Sequence, residues 1–155
     1  MGEVLKKWLK MKRDVLPRTE VILNLAVAAN LIKSQLEKFL NEHGITEVQF
    51  NALRILKGVY PEGHPRCEII SRMIDRAPDI TRLIDRLEKQ GLVERTRNSR
   101  DRRHSITRIS RKGISLLDKI QPQVDEQIKH NTQRLTVEEC RALSRLTEKL
   151  YEGLI

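Results

Sequence analysis

Between Thr19 and Asn41, apolar residues recur at Val21, Leu25, Ala28, Ala29, Ile32, Leu36, Phe39 and Leu40. Steps of three and four over this length predict a helix of several turns. Ile22, Leu23 and Leu31 widen the stripe beyond the face that one small lobe can cover, so part of it is expected to meet a second subunit. Gly44 punctuates the end of this helix. Thr46 to Gln49 (TEVQ) then has the form of a capping box, in which hydroxyl and amide side chains each satisfy a free backbone N–H at a helix start. A second helix opens there, with Phe50, Leu53 and Leu56 as its buried stripe.

YPEGHP at 60–65 reads as a loop from its Pro and Gly content. A short helix follows from about Cys67 to Ile74 and buries Ile69, Ile70 and Met73. Pro78 suits the first position of the next helix, where a missing N–H goes unneeded. That helix runs to about Gln90, with Gly91 as its stop. The period then changes. LVERT (92–96) and SITRI (105–109) read as short strands joined by an arginine-rich loop. Ser110 caps a helix over about 110–131. Thr136 and Glu139 form a second capping box before a last helix carrying Leu143, Leu146 and Leu150. Residues 4–12 form an amphipathic turn or two through Leu5, Trp8 and Leu9. The pattern contains no internal repeat, and its fold class is mainly α with a small β-wing.

Composition narrows the partner. At 155 residues and 39% hydrophobic, the chain builds one domain or a two-part subunit with a core. Aromatic residues at 3% argue against base-stacking platforms for single strands. The absence of a signal-like or membrane-length apolar run makes the reducing cytoplasm the expected location, with no membrane partner. The net charge of +9 is uneven: residues 66–112 carry fourteen Lys/Arg against seven acids, and the stretches 21–65 and 113–155 are near neutral. A localised basic segment points to a polyanion site, with nucleic acid as the leading partner.

The same segment reads helix, short turn, helix, strand, basic loop, strand. In helix-turn-helix proteins the second helix enters the major groove. At 100° per residue, Ile80, Leu83, Ile84 and Leu87 share the core face. Pro78, Arg82, Asp85 and Lys89 lie opposite, flanked by Thr81 and Arg86. Arg82 and Arg86 have the donors to read guanine, and Thr81 has a hydroxyl to bond a phosphate and a methyl to touch that of thymine. Asp79 favours the helix dipole or accepts from a cytosine amino group. Arg100, Arg102 and Arg103 crowd the loop RTRNSRDRRHS (95–105), and arginines on such a projection suit the narrow, electronegative minor groove. Asp101 among them relieves repulsion and is expected to hold Arg103 by accepting from its guanidinium.

The run ITRLIDRLEKQGLVERTRNSRDRRHSITRISRKG (80–113) resembles the winged helix-turn-helix signature of the MarR family of bacterial transcriptional regulators. The matching pieces are Thr81–Arg82, Asp85 to Arg95, Asp101 to Arg103 and Ser110 to Gly113; GITEVQFNALRIL (44–56) resembles that family's second helix. The resemblance implies a homodimer of six-helix subunits. Residues 1–43 and 113–155 would form the dimerisation part, and 44–112 the winged DNA-binding lobe. It implies major-groove contacts by Thr81, Arg82 and Arg86 and minor-groove contacts by Arg103 with Arg102 and Arg100. Asp79 stands where the family more often has a small or hydroxylated residue. A two-fold dimer spaces its recognition helices about one DNA turn apart, which implies a roughly palindromic double-stranded operator. The family also implies a repressor modulated by a small phenolic or aromatic effector.

Other chemistry is thin. Cys67 near a helix start suits either a redox-sensitive thiol or a small packing residue. His43, His64, His104 and His130 lack metal-ligand spacing, and no cofactor is implied. No nucleophile–base pair, phosphate-cradling loop or paired carboxylate site marks an enzyme. The competing function is a non-enzymatic winged helix that contacts protein or RNA.

Overall fold

Side-chain caps set where most of the helices begin. The computed structural model describes residues 1–75, 79–96 and 105–155. Helix α1 spans Glu3–Trp8, α2 Pro17–Glu42, α3 Glu47–Lys57, α4 Arg66–Arg72, α5 Ile80–Lys89, α6 Arg111–Thr132 and α7 Val137–Tyr151. At α3 the expected capping box is present: Thr46 Oγ1 accepts from the Gln49 N–H (3.3 Å) and Gln49 Oε1 from the Thr46 N–H (2.9 Å). Thr136 and Glu139 repeat the device at α7. Helix α2 starts two residues before the expected Thr19, because Pro17 occupies its first turn.

Two expectations need correction. The helix expected to open at Pro78 starts instead at Ile80 as α5, with Asp79 in a non-helical conformation as its cap. Pro78 itself lies outside the described residues. HP at 64–65 is a strand rather than part of a loop: β1 (His64–Pro65) joins β2 (Val93–Thr96) and β3 (Ile106–Ile109) in an antiparallel sheet of order β1-β3-β2. Gly63 makes this pairing possible. Its φ is +80°, and a Cβ there would lie 2.3 Å from the Thr107 carbonyl oxygen. Pro65 lacks an N–H and is tolerated on the sheet edge.

One core holds the lobe. Leu53, Leu56, Ile69, Ile84 and Leu87 are fully buried together with Leu40 from the end of α2 and Leu117 and Ile120 from the first half of α6. The rest of α2 leaves Val21, Ile22, Leu31 and Ile32 exposed, and α7 buries none of its residues. No helix of the described residues is long and apolar enough to cross a membrane.

The junction between the lobe and α6 is tight. Ser110 Oγ donates to the Gly91 carbonyl (2.7 Å) and accepts from the Gly113 N–H (3.0 Å). A Cβ on Gly113 would stand 2.3 Å from the Leu92 carbonyl oxygen and 2.8 Å from Ile109 Cγ1. Gly113→Ala should therefore destabilise the protein by about 1–3 kcal/mol through overpacking. Urea unfolding at one fixed protein concentration measures this, and a change within about 0.5 kcal/mol would show that the junction yields.

Candidate nucleic-acid interface

Helix α5 buries Ile80, Leu83, Ile84 and Leu87 against α3, α4 and β2, as their spacing predicts. Each such side chain contributes about 1.5–3 kcal/mol by leaving water, whereas an exposed ion pair contributes about 0–1 kcal/mol. The apolar face therefore decides the helix's rotation, and Thr81, Arg82, Arg86 and Lys89 are left exposed.

The exposed residues are not loose. Asp79 Oδ1 accepts from the Arg82 N–H at 3.0 Å, and its other oxygen lies 2.9 Å from Arg82 Nε. Arg66, the first residue of α4, donates from Nη1 to Thr81 Oγ1 at 3.0 Å. This leaves the Thr81 O–H proton available to an outside acceptor. At the other end of α5, Lys112 Nζ donates to the Gln90 carbonyl (2.8 Å), placing a cation on the negative end of the helix. Gln90 Nε2 donates to the Gly44 carbonyl (3.0 Å), and Gln49 Nε2 donates to Gln90 Oε1 (3.1 Å).

Asp85 departs from its expected place beside Arg82. It is half-buried and accepts from Arg95 Nη2 of β2 at 2.6 Å, with Glu88 3.5 Å from the same nitrogen. The Arg95 side chain is only 14% exposed. A residue one helical turn from Arg82 points sideways, and the sheet packed there supplies a cation that the helical wheel does not contain. Arg95 in turn pairs across the sheet with Thr107, which also faces His64. Arg95 Nε, Thr107 Oγ1 and His64 Nε2 are buried atoms without a hydrogen-bond partner among the described residues, so the inner face of the sheet turns polar along this row.

Strands β2 and β3 rise from this row as the two sides of the wing. Arg108 Nη1 donates to Thr96 Oγ1 across them at 2.5 Å. Residues 97–104 lie outside the described residues, and the expected minor-groove contacts Arg100, Arg102 and Arg103 fall there with Asp101.

Residues 45–105 match the model of the MarR family. The transcriptional regulator MhqR of Bacillus subtilis is 30% identical over 114 residues, 70% of this chain and 77% of that protein. A MarR transcription factor from Planctomyces limnophilus superposes with a TM-score of 0.68 at 34% identity, over 88% of this chain and 98% of that one. The chain belongs to the MarR family. Its fold is also that of Sco3205, a MarR-family regulator from Streptomyces coelicolor solved in complex with DNA (TM-score 0.76, 22% identity, 92% of this chain and 91% of that one). As a member of the MarR family the protein is a DNA-binding transcriptional regulator with a winged helix.

The MarR-family surface contains residues that periodicity did not mark. Arg66 reaches Thr81 from fifteen positions away, and its only sequence signal was membership of the basic segment. Arg95 opens the arginine-rich stretch 95–105 in the sequence, yet it is largely buried against Asp85 and Glu88.

The two arginines on either side of α5 should separate by experiment. Arg95→Ala removes a largely buried cation facing two carboxylates and should lower stability by about 1–3 kcal/mol. Arg95→Lys should recover only part, because an ammonium cannot span both acids as a guanidinium does. Arg82 is 80% exposed, so Arg82→Ala should change stability by less than about 0.5 kcal/mol. Thermal unfolding of the three variants measures this; equal losses at the two positions would refute the division.

Proposed function

We propose that two copies of this chain form a cytoplasmic repressor of a roughly palindromic double-stranded operator. The observation that carries this reading is the exposed face of α5, where Thr81, Arg82 and Arg86 stand opposite four buried aliphatic side chains. In this reading Arg82 and Arg86 address base edges in the major groove and Thr81 a phosphate, with Arg66 adjoining it. Pro78 and Asp79 border this contact. Arg100, Arg102 and Arg103 are assigned to the minor groove, with Asp101 as the acceptor that holds Arg103; these four assignments rest on the sequence. The DNA complex of Sco3205 supports this use of the fold.

Residues 1–43 and 113–155 form the dimerisation part. The support is apolar surface with no cover in one chain: Val21, Ile22, Leu31 and Ile32 of α2, and Leu143, Leu146 and Leu150 of α7. Seven such side chains exposed on two helices favour burial against a second copy.

The test is selection of binding sites from random duplex DNA, followed by titrations at several salt concentrations. A palindromic consensus should emerge, and log affinity should fall linearly with log salt, by about 0.9 per phosphate neutralised. Arg82→Ala should change the consensus at one position per half-site, as bidentate guanine contacts carry about 1–3 kcal/mol of discrimination. Arg103→Ala should weaken binding to all sites while leaving dimerisation intact, and Asp101→Asn should weaken it also. Absence of sequence preference over random duplex would instead favour a winged helix that contacts protein or RNA.

An effector fits the same scheme. A cavity of about 590 Å³ lies between α2 and α6, lined by Gln35, Lys38, Phe39, Gln123, Gln127 and His130 among others. Its size suits a small ligand; Phe39 supplies a ring, Gln35, Gln123 and Gln127 amides, and Lys38 a cation set beside the carboxylates of Glu42 and Glu126. Both walls belong to α2 and α6, and no residue of the winged lobe lines it. A phenolic acid such as 4-hydroxybenzoate should weaken operator binding, and Phe39→Ala should abolish that response. An unchanged operator affinity across a titration with phenolic acids would remove this class of effector.

A further inference from the structure

Asp79 makes two contacts to a single residue, and both go to Arg82. One carboxylate oxygen accepts the Arg82 backbone N–H at 3.0 Å, which fixes the first turn of α5. The other oxygen lies 2.9 Å from Arg82 Nε. Arg82 is 80% exposed and Asp79 48%, so the pair stands at the protein surface, and among the described residues no other acid forms an ion pair with Arg82.

We propose that Asp79 is a specificity-determining residue that clamps Arg82 for end-on reading of guanine. The proposal rests on the assignment of α5 to the major groove. Arg82 Nε lies within ion-pair distance of the second Asp79 oxygen, and in this proposal that attraction turns the terminal edge of the guanidinium, with both Nη groups, outward. That edge is the part that matches the O6 and N7 acceptors of guanine as a bidentate pair. An unclamped arginine reaches phosphates or several bases through many rotamers, and that freedom is lost on binding. With one oxygen on the backbone and one on the side chain, Asp79 ties the arginine's direction to the helix itself. Its negative charge also disfavours a swing of the pair toward the phosphate backbone.

A simpler role predicts an unchanged preference for guanine. Were Asp79 only a counter-charge to Arg82, its neutralisation would strengthen binding to every duplex, because a repulsive charge near phosphates is removed.

The experiment is binding-site selection and competition titration with five full-length proteins: wild type, Asp79→Asn, Asp79→Ser, Arg82→Ala and the Asp79→Asn/Arg82→Ala double variant. Asparagine and serine both cap helices well, so α5 should keep its first turn, which circular dichroism and the thermal midpoint report. Asparagine presents at least one N–H where the second oxygen stood or gives up the cap, and serine has no second oxygen. Both should lose about tenfold of the preference for guanine at the Arg82 position, while affinity for random duplex holds or rises. Combining Asp79→Asn with Arg82→Ala should cause no further loss of preference, since the clamp acts only through Arg82. An unchanged consensus in Asp79→Asn, alongside a changed one in Arg82→Ala, overturns the clamp alone. An unchanged consensus in Arg82→Ala overturns the clamp and the major-groove assignment together.

Discussion

The rotation of α5 about its own axis is the constraint on which the exposed basic face of the lobe depends. Ile80, Leu83, Ile84 and Leu87 must leave water, and they do so against α3, α4 and β2. The hydrophobic contribution of that face exceeds what any exposed charge pair around it supplies. Thr81, Arg82 and Arg86 are therefore displayed outward as a consequence of packing. A dense apolar interior admits few alternatives to this rotation, so the direction of the polar face is held even before a ligand arrives.

The acids of this segment have a consistent role. Asp79 engages Arg82, and Asp85 and Glu88 both engage Arg95. Each acid at the cap or within α5 is thus committed to an arginine, and the basic segment keeps its positive excess while its arginines acquire direction. The two pairings differ in consequence. The Arg95 group lies beneath the sheet and couples α5 to β2, so it acts on the fold. The Asp79–Arg82 pair lies at the surface, so it acts on what the surface recognises. At the far end of α5, Lys112, Gln90 and Gln49 fasten the helix to α6, α3 and the Gly44 turn.

Much of this architecture was legible because local rules and tertiary packing agree. The TEVQ and TVEE boxes start their helices where the motif places them, and Gly44 and Gly91 take positive φ at the ends of α2 and α5. Ser110 caps α6 as expected. The misses have a common cause. Nothing local in HP marks a strand; β1 exists because Gly63 lets its backbone lie against β3. Asp85 and Arg95 are ten positions apart, in elements of different period, so neither a helical nor a strand pattern pairs them. Pro78 lost the helix start to Asp79, whose carboxylate satisfies the first-turn N–H that a proline at the first position leaves open.

The sequence by itself determined the helices, the two-stranded wing, the buried face of α5 and the basic character of the segment around it. These follow from periodicity, capping and charge, which act over a few neighbouring residues. Only the tertiary structure decided which arginine is an anchor and which stays exposed, because Arg82 and Arg95 carry the same charge and differ in what surrounds them. Burial beside two carboxylates makes one structural, and exposure beside a single clamping carboxylate leaves the other directed outward. A guanidinium's role is set by its neighbours in space, and those neighbours come from elements that the fold alone brings together.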